Sequence, residues 1–211
     1  MRQLVSVCAA VMGLILFASS VTSAQQLVAG VQGGIVFSSL PNAGQVVDQI
    51  VKQRSVETSS KTGPTFGGFV IIPIADRFSF QPELNFVGKG VKVKEANGDE
   101  FTASLRYLEF PLLLRYRASI GGTAAFLLVG PTFGVKASTS GHFDSGGQQN
   151  IDSAISNFDG GIAFGGGIDY GRLLFELRYT LGLSDVATDL FPHSESLKNR
   201  VFAVLVGYRL K

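Results

Sequence analysis

From Phe78 to Phe86 the chain reads Phe-Ser-Phe-Gln-Pro-Glu-Leu-Asn-Phe, large apolar residues alternating with small polar or charged ones. A β-strand sends successive side chains to opposite faces, so this period of two predicts one apolar face and one carrying Ser79, Gln81, Glu83 and Asn85. The pattern recurs and predicts eight strands: Leu27–Ser38, Thr62–Ile74, Arg77–Lys94, Phe101–Arg117, Ala124–Thr139, Phe158–Tyr170, Arg172–Asp185 and Arg200–Leu210. Each meets or exceeds the ~9–11 residues of a tilted transmembrane strand. The second is the least regular, because Phe66, Phe69, Val70, Ile71 and Ile72 do not alternate. Pro82, Pro111 and Pro131 fall inside strands, where a missing N–H interrupts the ladder, and bulges are expected to accommodate them and shift the faces beyond each.

The connections alternate in length. Tight turns at Ala75-Asp76, at Ala118 to Thr123 and at Gly171 join strands two to three, four to five and six to seven. Longer polar segments, about Ser39–Lys61, Glu95–Glu100, Ser140–Asn157 and Val186–Asn199, make the other connections. Short turns at one rim and long loops at the other are the outer-membrane barrel arrangement, the short side being periplasmic. Val46, Val47, Ile50 and Val51 in the first long segment fit either a short amphipathic helix or a loop.

Alternation alone does not say which face is inside, and a lipocalin-like soluble barrel would turn its apolar face inward. Three features favour the reverse. The polar face holds Glu83, Glu109, Arg115, Arg117, Glu176, Arg178 and Arg209, arginine with glutamate as an enclosed interior would use. The apolar face is continuous, as in Leu173, Phe175, Leu177, Tyr179, Leu181 and Leu183. Tyr116, Tyr170 and Tyr208 fall near the short-turn rim in phase with that face, with Phe78 at the same level, which predicts an interfacial aromatic girdle. Glu83, Glu109, Arg115, Glu176 and Arg178 are then expected to form one connected, structural ionic network in the lumen, because an unpaired buried charge costs several kcal/mol.

The chain's 211 residues bound it to one domain plus a removable segment. Arg2, the apolar run Leu4 to Ala18 and the small residues Thr22-Ser23-Ala24 predict a secretory signal peptide over residues 1–24, leaving 25–211 as the barrel. Cys8, the single cysteine, lies inside that signal rather than at a lipoprotein cleavage site, so cysteine chemistry is excluded from the mature chain. Charged residues make up 16%, glycine numbers 26 and tryptophan is absent, a balance suited to a membrane barrel. A net charge of +2 without a basic cluster gives no reason to expect nucleic acid as a partner.

These residues resemble the outer-membrane β-barrel family that includes the PorT-like proteins of Bacteroidetes and relatives. The resemblance lies in Gln81-Pro82-Glu83-Leu84 with Gly88-Lys89-Gly90, in Tyr107 to Tyr116 and in Val129-Gly130-Pro131. It continues through Asp159 to Gly167, Glu176-Leu177-Arg178-Tyr179-Thr180-Leu181-Gly182-Leu183 and Gly207-Tyr208-Arg209. It implies an all-β, eight-stranded antiparallel transmembrane up-and-down β-barrel and makes in-strand proline a habit of the family. One departure is the end, Leu210-Lys211 after Tyr208, where such barrels usually finish on an aromatic residue.

Candidate chemistry is sparse. Some eight-stranded barrels act on lipid A with His, Ser and a carboxylate, and His193-Ser194-Glu195-Ser196 has those residue types. Neighbours in a loop are poorly placed to hold a base on a nucleophile, so no catalytic residue is assigned. His142, Asp144 and Asp152 form only a generic metal-binding set, and Gly165-Gly166-Gly167 precedes a strand rather than a helix, so neither metal nor cofactor is expected. The expected function is an outer-membrane protein with a plugged polar lumen and a structural or surface-interaction role through its long loops. The alternatives are a narrow channel and, less favoured, a lipid A-modifying enzyme. Expected partners are outer-membrane lipid, the barrel-assembly machinery and an unidentified surface or periplasmic protein.

Overall fold

A computed structural model describes residues 27–39, 57–94, 100–121, 123–143, 147–149, 156–184 and 198–210. The strands are β1 Val28–Ser39, β2 Glu57–Pro73, β3 Phe78–Lys94, β4 Glu100–Ile120, β5 Thr123–Phe143, β6 Gly147–Gln149, β7 Phe158–Tyr170, β8 Leu173–Gly182 and β9 Arg200–Arg209. Hydrogen bonds run in the order β4-β3-β2-β1-β9-β8-β7-β5, and β4 also pairs with β5, so the sheet closes on itself. Every pairing is antiparallel. The result is a closed eight-stranded β-barrel, with the three-residue β6 paired only to the end of β5. Closure satisfies the backbone groups that an open sheet would expose to lipid.

The strand boundaries follow the sequence pattern closely. β2 starts at Glu57 rather than Thr62, and β4 runs on to Ile120. Gly121 and Gly171 take φ of 58° and 60° in the two tightest turns, a left-handed conformation that glycine adopts without a steric cost. β4 and β5 are 21 residues long, whereas β8 and β9 have 10, so the wall is tall on one side and low on the other. Residues 1–24, where a signal peptide is expected, the Val46–Val51 segment and the His193 segment lie outside the described residues.

The direction of the apolar face is decided by exposure. On β8, Leu173, Phe175 and Leu177 are exposed while Leu174, Glu176 and Arg178, alternating with them, are buried. On β9, Phe202, Val204, Val206 and Tyr208 are exposed while Val201, Ala203 and Leu205 are buried. An apolar band around the whole barrel far exceeds what a water-facing surface carries, and lipid is its solvent.

The expectation of bulges at the prolines is corrected. The strand ladders continue past Pro82, Pro111 and Pro131 without change of register, so no bulge sits at those prolines and the faces do not shift there. Each proline removes a single donor, and the ladder resumes beyond it. The register shifts fall instead between Ser60 and Thr65 on β2 and at Arg106/Tyr107 on β4.

β2 does alternate, but with apolar side chains on both faces: Phe66 is exposed while Phe69 and Ile71 are buried inside. The interior is therefore not wholly polar. Phe69, Ile71, Leu113, Phe126, Leu128, Ala163 and Leu174 pack together, and Val36, Val87, Val201, Ala203 and Leu205 form a second cluster. Glycine makes room for the large rings. A Cβ on Gly30 would stand 2.2 Å from the Phe69 ring, and one on Gly167 would stand 2.6 Å from that of Phe126.

Candidate functional site: the interior charge networks

Period-two alternation aims Gln81, Glu83 and Asn85 of β3 inward, and likewise Glu176 and Arg178 of β8. β2, β1 and β9 separate these strands in one direction round the wall, so the two sets meet across the interior. The Arg178 guanidinium donates through Nη1 to Glu83 Oε2 and through Nη2 to Glu83 Oε1, both at 2.8 Å. Its Nε donates to Glu176 Oε1 at 2.6 Å. Gln81, Asn85 and Gln32 also donate to the Glu83 carboxylate, at 2.8, 2.8 and 2.7 Å. That carboxylate is fully enclosed and amply satisfied, as a buried charge must be.

Gln81 extends the network. Its Oε1 accepts from Arg115 Nη1 at 3.1 Å, and Arg115 Nη2 donates to both oxygens of Asp169, at 2.7 and 2.9 Å. Arg209 Nη2 reaches the same Asp169 at 2.5 Å. The Arg115 guanidinium lies 3.6 Å from the centre of the Phe126 ring, a stacked cation–π contact. Arg115, Arg178 and Arg209 thus balance Glu83, Glu176 and Asp169 in charge.

A second cluster lies nearer the loop-side rim. Lys89 of β3 bridges Glu109 of β4 and Asp159 of β7, the latter at 2.8 Å. Asn199 Nδ2 donates to Asp159 at 3.2 Å, and the Lys89 ammonium sits 5.3 Å from the Tyr107 ring centre. The buried Tyr107 hydroxyl has no hydrogen-bond partner among the described residues.

Of the five residues expected in one network, Glu83, Arg115, Glu176 and Arg178 are joined. Glu109 is not: it pairs in register with Asn85, loop-ward of Glu83, and reaches Lys89 instead. Sequence reasoning passed over Lys89, Asp159 and Asp169 as members. The signal was there, since Lys89 is in phase with Glu83 and both aspartates share the phase of the inward glycines. Arg117 is in phase with Arg115 but lies exposed at the short-turn end. His142 is on β5, while Asp144, Asp152 and His193 lie outside the described residues.

At the short-turn end the Phe78 and Tyr116 rings meet at 5.1 Å on neighbouring strands. Tyr170 and Tyr208 both stand opposite Leu173 in register, placing them on one level of β7 and β9. Phe78, Tyr170 and Tyr208 are exposed on the outer face.

The chain matches the outer membrane protein beta-barrel domain over residues 22–188, most of its length. It belongs to that family. The family is one of outer-membrane β-barrels, which suggests the Gram-negative outer membrane as its location.

Solved barrels share the outline at low identity. Ail, the attachment invasion locus protein of Yersinia pestis, in complex with the heparin analogue sucrose octasulfate, is 12% identical with a TM-score of 0.43, covering 88% of this chain and 100% of its own. Neisserial surface protein A is 8% identical with a TM-score of 0.41, covering 87% of this chain and 97% of its own. At such scores neither likeness says what this outer-membrane barrel binds. No curated protein matches the sequence.

Proposed function

We propose that the protein is a non-conducting outer-membrane barrel without catalytic activity, exported by a signal peptide over residues 1–24. Its role on this reading is structural or surface-interacting, exercised through the long loop-side connections. The observation that carries this is the Glu83–Arg178 fork, two charges joined across the interior with Gln32, Gln81 and Asn85 packed on them. An eight-stranded barrel has a bore that side chains alone can fill. The interior clusters of Phe69, Leu113 and Phe126 and of Val36, Val87 and Leu205 support the same reading. Phe78, Tyr116, Tyr170 and Tyr208 act as the periplasm-side aromatic girdle in contact with outer-membrane lipid.

Within the family, the reading places the chain with the PorT-like barrels. What supports it is that Gln81-Pro82-Glu83-Leu84 and Glu176-Leu177-Arg178 supply the two halves of the central ion pair. The barrel-assembly machinery is the expected partner during insertion.

The test is conductance of the purified protein in planar bilayers, where no reproducible open level is expected. An open level abolished by substitution of Arg115 or Glu109 would overturn the plugged lumen and establish a narrow channel. Loss of a lipid A modification in cells on His193→Ala would overturn the non-enzymatic reading.

A further inference from the structure

The short-turn rim carries charge that the interior networks leave unused. Arg77, from the turn between β2 and β3, and Arg117, near the end of β4, are both exposed. They line one open cavity of about 310 Å³ with Ala118, Ser119 and Ala124. The two are tied through the backbone, the Arg117 N–H donating to the Arg77 carbonyl at 2.7 Å. Arg77 is steadied further by its Nη1, which donates to the Tyr116 hydroxyl at 3.4 Å. No carboxylate among the described residues forms an ion pair with either arginine. Arg209, at the same rim, is committed to Asp169.

Arg77 and Arg117 line one small cavity, and the acid acting through space on Arg77 is its neighbour Asp76, so the pair keeps a net positive charge for an incoming anion. A guanidinium's planar fork matches the oxygens of a phosphate, and the Ser119 hydroxyl adds a further donor at the edge. The cavity lies one residue beyond the Phe78–Tyr116 aromatic pair on each strand. If that pair marks the membrane interface, the arginines stand at headgroup depth in the periplasm-facing leaflet.

We propose that Arg77 and Arg117 form a phosphate-group site that is filled by the headgroup of an anionic phospholipid. This rests on the girdle reading above. Exposed basic residues beside an anionic membrane are each worth about fivefold in binding, and screening by salt reaches them because they are not buried.

The full barrel is to be reconstituted in phosphatidylcholine vesicles carrying spin-labelled phosphatidylglycerol or spin-labelled phosphatidylcholine, and the relative association of the two labels measured. Wild type is expected to prefer phosphatidylglycerol about fivefold or more, and Arg77→Gln with Arg117→Gln to bring the ratio to about one. Arg172→Gln, at the same rim but outside the cavity, is expected to retain the preference. A wild-type ratio of one, or equal loss on Arg172→Gln, overturns the site. In detergent, millimolar inorganic phosphate that protects Arg77 and Arg117 from phenylglyoxal as well as the lipid does would overturn the lipid as source. Carbonate extraction of the same vesicles separates the two readings: a barrel that washes off refutes membrane insertion, whereas one that stays without selectivity refutes only this site.

Discussion

Glu83 and Arg178 stand 95 residues apart in the chain and meet across the barrel through two parallel hydrogen bonds of 2.8 Å. Arg178 also holds Glu176, so it is the one cation between two enclosed carboxylates. Replacing it by Met strips both buried carboxylates of their ion-pair partner, and a loss of about 3–5 kcal/mol is expected. Denaturant titration of the detergent-folded barrel measures it. Adding Glu83→Gln to Arg178→Met is expected to recover part of the loss, and strict additivity of the two substitutions would show that the fork is not an energetic unit.

The second cluster makes a similar prediction with the same charge count, one cation to two carboxylates. Lys89 stands between Glu109 and Asp159, so Lys89→Met leaves two carboxylates facing each other. The single variant is expected to lose about 3 kcal/mol or more. Asp159→Asn in the same chain is expected to restore stability, because it removes the repulsion. A double variant weaker than the single one would mean that Asp159 is held chiefly by Asn199.

Gly167 is expected to resist any side chain. A Cβ there would lie 1.9 Å from the Phe175 carbonyl oxygen and 2.6 Å from the Phe126 ring, which itself stacks under Arg115. Gly167→Ala is therefore expected to cost about 1–3 kcal/mol, the usual range for overpacking. The fraction of heat-modifiable protein on a gel reports it. Gly171→Ala, where no atom lies within contact distance, is expected to fold with only the smaller penalty of its left-handed backbone.

The girdle reading predicts a depth dependence on the outer face. Leu177, at the middle of β8, is exposed to the lipid band, whereas Tyr208 lies near the short-turn end of β9. Leu177→Arg is expected to cost about 2–4 kcal/mol and Tyr208→Arg about 0–1 kcal/mol. Unfolding free energies in phospholipid bilayers give both numbers. Equal costs would place Tyr208 away from the interface.

The wall of the barrel was legible from the sequence because two strong local rules coincide there. Apolar-polar alternation marks each strand, and glycines able to take a left-handed φ mark the tight turns at Gly121 and Gly171. The lumen was legible only where a charge betrays its face. Glu83, Arg115, Glu176 and Arg178 stand out on an otherwise apolar strand, but Phe69, Ile71, Leu113 and Phe126 do not, since they are as apolar as their lipid-facing neighbours. Which charge pairs with which was also hidden. Glu109 finds Lys89 rather than an arginine because register and tilt set its height, and alternation carries no information about height.

The closing seam between β1 and β9 has a consequence for how the protein is made. Ten register pairs, from Gly30–Arg209 to Ser39–Arg200, join the first strand of the barrel to its last. Until β9 emerges and docks, β1 keeps a row of unpaired backbone groups along its full length, and lipid offers them nothing. The first strand to be synthesised is thus among the last to be completed. Assembly must shelter that open edge for nearly the whole passage of the chain, and any break before Arg200 leaves a sheet that the membrane cannot accept.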